Sequence, residues 1–154
     1  MSGERAKTLL WMTPAIADQI IAHCQEYYPK EACGLLAGSS VAPETQMIPE
    51  QRVVQVYPMM NVENSPIGYS MDPREQLRID KFMRQRQQKL VGIYHSHTAT
   101  DAYPSPVDVR MAISPDVSYV LVSLKDRAKP LIKSYRILDG SILEEDVLVE
   151  ERTV

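Results

Sequence analysis

The sequence has few of the residues that mark several large classes of protein. It contains only two cysteines, Cys24 and Cys33, in 154 residues. Two are too few for the disulfide framework of a small secreted domain. We therefore expect both to be reduced thiols that pack in the core of a cytoplasmic protein. A catalytic thiol, Cys24 beside His23, is the alternative use.

Excess charge of one sign and long apolar runs are also lacking. The formal net charge is -3, which offers neither the basic surface that nucleic acid requires nor a polybasic patch for a membrane. The apolar residues 9–12 are too few for a signal peptide or a membrane span. We expect no nucleic-acid partner, no membrane association and a cytoplasmic location.

The composition is that of an ordinary folded domain. Hydrophobic residues make up 44% of the chain and charged residues 24%, which suffices for a proper core at this length. No repeat, low-complexity tract or linker divides the sequence. We predict a single domain over residues 1–154.

Short apolar segments bounded by turn residues outnumber the helical segments. Strands are predicted at residues 8–12, 32–37, 52–57, 68–71, 90–94, 118–125, 131–138 and 141–149, loops at 41–51 and 61–67, and helix starts at Pro14, Pro73 and Pro106. Helical residues expected to face the core are Ile16, Ile20, Ile21, Cys24, Leu77, Ile79, Phe82, Met83, Val107 and Met111. This order predicts an α/β fold with a mixed, mostly antiparallel sheet packed with about three helices.

Two histidines follow the apolar segment 90–94. Side chains alternate along a strand, so His95 and His97 emerge on one face and can share a cation. Ser105 is typical of a helix N-cap, and Asp108 is then the third residue of that helix. A strand end thus faces a helix N-terminus with two imidazole nitrogens and a carboxylate oxygen. Three such ligands with a fourth position open to water are common in catalytic zinc sites.

Each half of this pattern also has an ordinary structural explanation. A histidine pair on a strand is often a surface or hydrogen-bonded pair, and Ser-x-x-Asp is often only a helix capping box. Both halves at this fixed spacing arise by chance in roughly one chain in several thousand, given average residue use. The combination therefore favours a metal site made by His95, His97 and Asp108.

The spacing of these four residues resembles the JAMM motif of the MPN-domain metalloproteases. Seven residues separate the second histidine from the serine, and two separate the serine from the aspartate. Residues 30–38, Lys-Glu-Ala-Cys-Gly-Leu-Leu-Ala-Gly, resemble the family's Glu-x-Cys-Gly-Leu-Leu segment. The likeness runs from about residue 10 to residue 139. One departure is Thr98, where the family usually has proline, and it bears on the rigidity of the loop that follows.

The resemblance implies a zinc-dependent peptidase or isopeptidase with one Zn²⁺ per chain. His95, His97 and Asp108 would hold the metal ion. Glu31 would act as the general base for the water that attacks the substrate carbonyl, and Ser105 would stabilise the oxyanion.

The resemblance also implies a partner. Family members cleave after the C-terminal Gly-Gly of ubiquitin-like proteins, and a compact single domain is similar to the prokaryotic branch that processes sulfur-carrier proteins. A peptide and an isopeptide bond are both compatible with this, and no oligomeric state is implied. Candidates for contact with the substrate are Asn61, Tyr69 and Tyr103. The alternative function is a non-catalytic MPN scaffold that binds a ubiquitin-like protein.

Several residues near the motif are interpreted as structural. Ser96, on the opposite face of the strand from the two histidines, should make at most a structural hydrogen bond. Asp101 is expected to bond nearby backbone in its loop. The basic residues Arg84, Arg86 and Lys89 suit a helix C-terminus, with substrate contact as the alternative.

Overall fold

The computed structural model describes residues 5–41, 50–112 and 114–152 of the chain. Its strands are β1 (Arg5–Met12), β2 (Cys33–Ser39), β3 (Glu50–Arg52), β4 (Gln55–Met59), β5 (Gln88–His97), β6 (Ser118–Ser123), β7 (Leu131–Leu138) and β8 (Ser141–Val149). Its helices are α1 (Pro14–Tyr27), α2 (Pro73–Gln85) and α3 (Pro106–Met111). All three predicted helix starts are confirmed, and in each case the residue before the proline caps the helix with its side chain.

The eight strands form one sheet in the order β3-β1-β8-β7-β6-β5-β2-β4. The β1–β3, β1–β8 and β5–β6 pairs are parallel, and the other four pairs are antiparallel. The predicted fold, a mixed and mostly antiparallel sheet with about three helices, is confirmed.

The predicted strand 52–57 is divided in the structure. β3 pairs with β1 and β4 pairs with β2, at opposite ends of the sheet, although only Val53 and Val54 separate them. The Val53 N–H donates to the Trp11 carbonyl at 2.9 Å, and the Val54 N–H donates to the Ala37 carbonyl at 2.8 Å. The sheet therefore curls until this dipeptide, the 53–54 joint, connects its two ends.

Helices α1 and α2 cover opposite faces of the curled sheet. On one face Ile20 and Cys24 of α1 are buried in the main core, with Ile16 and Ile21 packed at its margin. On the other face Ile79 and Met83 of α2 pack against Cys33, Leu35 and Ala37 of β2. The predicted apolar stripe of α1 is confirmed.

Four predicted core positions are wrong, because their side chains are exposed: Leu77, Phe82, Val107 and Met111. Only Ile79 and Met83, four residues apart, face the sheet from α2. The short helix α3 instead packs through Val109.

Segment 68–71 is not a strand. The Ser70 N–H donates to Asn61 Oδ1 at 3.1 Å, and the Ser70 carbonyl accepts from the Val62 N–H at 2.9 Å. The backbone groups of Ser70 thus bond within the loop and not to a neighbouring strand. Of the predicted loop 41–51, residues 42–49 lie outside the described residues, and residues 50 and 51 belong to β3.

None of the helices in the described ranges is long and apolar enough to cross a membrane.

Candidate metal centre

The end of β5 and the start of α3 bring the three predicted ligands together. His95 and His97 are buried. His95 Nε2 lies 3.2 Å from Asp108 Oδ1, and His97 Nε2 lies 3.0 Å from Asp108 Oδ2. The two Nε2 atoms are 3.3 Å apart. The three side chains therefore form one cluster that could hold a metal ion.

The separations in this cluster suit a zinc-sized cation. A tetrahedral ion with bonds of ~2.1 Å has ligand atoms about 3.4 Å apart. The two Nε2 atoms are 3.3 Å apart, and each lies 3.0 to 3.2 Å from a different carboxylate oxygen of Asp108. Two imidazole nitrogens and a carboxylate oxygen are also a donor set found in catalytic zinc sites. The residues present thus fit the metal that the resemblance implies.

A backbone carbonyl orients His97. The Asp101 carbonyl can only accept, so the Nδ1 atom of His97 donates to it, at 2.9 Å. The Nε2 lone pair is then free to face the cluster, as in metal-binding histidines. The Asp101 carboxylate points away to Lys125, at 3.3 Å. The predicted bond from the Asp101 side chain to nearby backbone is therefore wrong; it is the Asp101 carbonyl that accepts locally, from His97 and from the Tyr103 N–H at 2.8 Å.

The loop after His97 is held without the usual proline. Thr98 Oγ1 donates to the Pro66 carbonyl at 3.1 Å. Ser123 and Tyr135 each donate a hydroxyl hydrogen to a carbonyl of the same loop. Three side-chain bonds therefore restrain the loop that presents the Asp101 carbonyl.

Asp108 and Ser105 join the cluster to the start of α3. The Ser105 N–H donates to Asp108 Oδ2 at 2.8 Å, and the Asp108 N–H donates to Ser105 Oγ at 3.1 Å, which completes a capping box. The capping bond uses a lone pair of the hydroxyl oxygen. The hydroxyl hydrogen of Ser105 stays available for another acceptor.

The electrostatics of the metal-free cluster favour the metal-binding forms of Asp108 and His95, whereas His97 is held toward its protonated form. Burial alone would raise the pKa of Asp108, but its close polar contacts with His95 and His97 outweigh it and hold this pKa well below its usual range. Burial lowers the pKa of His95. Burial also acts to lower the pKa of His97, but its hydrogen bond to Asp108 raises it overall. An ionised carboxylate and a neutral His95 are the forms a metal requires.

Glu31 lies two residues before the start of β2, and β2 is the antiparallel neighbour of β5. Its side chain is only 6% exposed. Burial raises the pKa of Glu31 to about 7, with the charge of His97 opposing the rise and those of Asp108 and Glu63 adding to it. A carboxyl group with a pKa near neutrality can take up and release a proton at physiological pH, as a general base must.

The raised pKa of Glu31 makes the stability of the metal-free protein depend on pH. The ordinary pKa of 4.5 applies in the unfolded chain, so between pH 4.5 and about 7 the folded state binds more protons. Stability therefore falls as the pH rises through this range. We expect Glu31→Gln to stabilise the metal-free protein by about 2–3 kcal/mol at pH 8, and little at pH 4.

Urea denaturation of both metal-free proteins at the two pH values measures this difference. A gain from Glu31→Gln that is the same at pH 4 and pH 8 would contradict the raised pKa.

The structural interpretations of neighbouring residues are confirmed. Ser96 Oγ is buried and accepts from the Ala32 N–H at 2.8 Å. Cys24 and Cys33 are free and buried, and burial raises the pKa of both thiols to about 12. Neither is a thiolate near neutral pH, which contradicts the alternative of a catalytic thiol.

Of the three candidates for contact with a substrate, Tyr69 lies against the cluster. The Tyr69 ring stacks on His95 with centroids 4.5 Å apart. Asn61 is wrong as a surface contact, since its side chain is buried and bonded within its own loop. Tyr103 is exposed and packs edge-on against Tyr135, and its contact with substrate stays a prediction.

Two of the three basic residues near the end of α2 have partners in the fold, and the third, Lys89, lies in β5. Arg84 pairs with Asp80 at 2.6 Å, and Arg86 donates to the Tyr57 hydroxyl at 3.0 Å. These contacts agree with the structural interpretation of this run.

The curled mixed sheet, its three helices and the His-His-Asp cluster define a JAB-type α/β domain. A family model described as prokaryotic homologs of the JAB domain matches residues 13–138. The chain belongs to this family, and the resemblance drawn from the motif is confirmed.

Characterised relatives support the same assignment. The CysO-cysteine peptidase of Mycobacterium tuberculosis (strain H37Rv) is 44% identical over 137 residues, which cover 89% of this chain and 88% of that protein. A desampylase of Haloferax volcanii is 33% identical over 111 residues, covering 69% and 74%. The solution structure of protein DSY2949 from Desulfitobacterium hafniense has a TM-score of 0.81 and 38% identity, covering 93% and 94%. These relationships identify the chain as a hydrolase.

Proposed function

We propose that the chain is a zinc-dependent peptidase or isopeptidase that hydrolyses the bond after the C-terminal Gly-Gly of a ubiquitin-like or sulfur-carrier protein. The observation that carries the proposal is the His95, His97 and Asp108 cluster with the buried carboxyl group of Glu31 nearby. The names of the relatives support the substrate class: a CysO-cysteine peptidase and a desampylase. We further propose one Zn²⁺ per chain, a single domain over residues 1–154 and a cytoplasmic location.

His95, His97 and Asp108 would hold the zinc ion. When bound, zinc acidifies water and polarises a carbonyl group. Glu31 accepts the proton of the attacking water and delivers it to the leaving amine, and its pKa of about 7 suits both transfers. The Ser105 hydroxyl donates its free hydrogen to the oxyanion that develops on the carbonyl.

Substitution of Ser105 separates its two roles. Ser105→Ala removes the N-cap, which costs about 1 kcal/mol of stability, and removes the oxyanion donor, which lowers kcat by roughly 10²-fold or more. Ser105→Thr keeps a hydroxyl and is expected to retain most of the stability and activity. Steady-state kinetics and thermal denaturation of both variants measure the two effects. Full activity in Ser105→Ala would remove Ser105 from the mechanism.

The test of the proposed function is intact mass spectrometry of a carrier protein that ends in Gly-Gly and carries one extra C-terminal residue. A second substrate joins the same Gly-Gly terminus to a lysine side chain. The zinc-loaded protein should release the added group, while the Glu31→Gln variant and the chelated protein should not. No release from either substrate by the zinc-loaded protein would refute the proposed substrate. Binding of the carrier without zinc and without cleavage would favour the alternative, a non-catalytic scaffold.

A further inference from the structure

Asn61 uses its whole hydrogen-bonding capacity inside the loop between β4 and α2. It is 3% exposed. Its Nδ2 donates to the carbonyls of Glu31 at 3.0 Å and Gly68 at 2.9 Å. Its Oδ1 accepts from the N–H groups of Glu63 at 3.0 Å and Ser70 at 3.1 Å. An amide side chain has two donor hydrogens and two acceptor sites, so all four are satisfied.

The loop that Asn61 organises, residues 61–71, grips the backbone of Glu31 on both sides. The Glu31 N–H donates to the Ser65 carbonyl at 2.9 Å, and the Glu31 carbonyl accepts from Asn61. The Asn61 N–H in turn donates to the hydroxyl of Tyr27 in α1, at 3.2 Å. The loop 61–71, together with Glu31, is thereby bonded to α1.

The same loop also touches the metal-binding cluster. Tyr69 stacks on the ring of His95, and the Pro66 carbonyl accepts from Thr98, the residue after His97. The loop 61–71 therefore contacts the backbone of Glu31, the proposed base, and also the end of β5, which carries two of the proposed ligands.

We propose that Asn61 is a positioning residue for hydrolysis: its side chain fixes the backbone of Glu31, and with it the carboxyl group, relative to the metal cluster. This inference rests on the proposed function. A displacement of about 1 Å in a reacting group can cost roughly 10²-fold in rate. Aspartate has the same shape as asparagine but no hydrogens to donate, so it would set an oxygen against the carbonyls of Glu31 and Gly68.

The test compares Asn61→Asp and Asn61→Ala with Asp72→Ala. Asp72 caps α2 at the other end of the loop by accepting from the Arg74 N–H at 2.9 Å, so its loss lowers stability without a bond to Glu31. We expect both Asn61 variants to lose at least tenfold in kcat with KM within twofold and with zinc still bound. Asp72→Ala should lower the thermal unfolding temperature but keep kcat within twofold.

A second measurement does not depend on activity. Amide hydrogen exchange of the metal-free protein should show the Glu31 N–H accelerated at least tenfold more than the amides of β6 in the Asn61 variants. In the Glu31→Gln background, Asn61→Asp should cause no further loss of the remaining turnover, because Asn61 acts through Glu31.

The results that overturn the proposal differ from those that overturn the proposed function. Unchanged kcat in both Asn61 variants, a loss equal to that of Asp72→Ala, or unchanged exchange at Glu31 would each remove Asn61 as a positioning residue. A parent protein that binds zinc but cleaves neither carrier substrate would instead refute the proposed function, and the exchange experiment would still decide whether Asn61 holds Glu31.

Discussion

The Glu31→Gln variant of the zinc-loaded protein is expected to lose roughly 10²- to 10⁴-fold in kcat, the range that a general base contributes. Glutamine keeps the shape of the side chain but cannot accept the proton of the attacking water. Zinc content should stay at one ion per chain, because Glu31 is not a proposed ligand. Kinetics with the carrier substrate and elemental analysis of the same preparation measure both quantities.

The Glu31→Gln variant is also expected to gain stability. The penalty for burying an ionised Glu31 disappears in Glu31→Gln, so the metal-free variant should be more stable than the parent at pH 8. Loss of activity together with a gain of stability separates removal of a functional group from damage to the fold. Undiminished turnover in Glu31→Gln would show that another group serves as the base.

The His97→Ala variant is expected to lose zinc, with a fall in affinity of more than 100-fold and loss of measurable cleavage. The substitution removes one of three proposed ligands, whereas changes in residues that only orient a ligand typically cost 10–100-fold. Zinc should raise the thermal unfolding temperature of the parent protein but not that of the variant, because stabilisation by a ligand requires that it bind the folded state.

The third histidine of the chain is the matched control. His23 lies on α1, and its Nδ1 is 2.7 Å from the Tyr94 hydroxyl, away from the cluster. His23→Ala should therefore keep one zinc ion per chain. Stoichiometric zinc in His97→Ala would contradict the proposed ligand set, and loss of zinc in His23→Ala would point to an indirect effect of the fold.

The metal cluster could be predicted from the sequence because it is local. All of its side chains come from residues 95–108, where strand alternation and helix capping fix their directions. The part played by the Asp101 carbonyl could not be predicted, since every residue carries the same carbonyl group. The burial of Asn61 was equally hidden, because asparagine is common in exposed loops.

The predicted strands and core positions are wrong where tertiary contacts outweigh the local sequence pattern. Residues 52–57 have the β-branched composition of one strand, but the curl of the sheet gives the two halves different neighbours. Residues 68–71 also fit a strand, yet Asn61 binds the Ser70 N–H that a sheet neighbour would need. Val107 and Met111 were misplaced because a helix of six residues buries too little surface for its apolar spacing to show which side packs.

The 53–54 joint ties the two edges of the sheet together through backbone hydrogen bonds to β1 and β2. β1 pairs with β8, which lies more than a hundred residues away in the sequence, and it also pairs with β3. The joint connects β3 to β4, which pairs with β2. Contacts so distant in sequence form slowly and give little stability until the chain between them is ordered. Loosening β1 should accordingly release its pairings with β8 and β3 together, and with them the backbone bond that β1 makes to the joint.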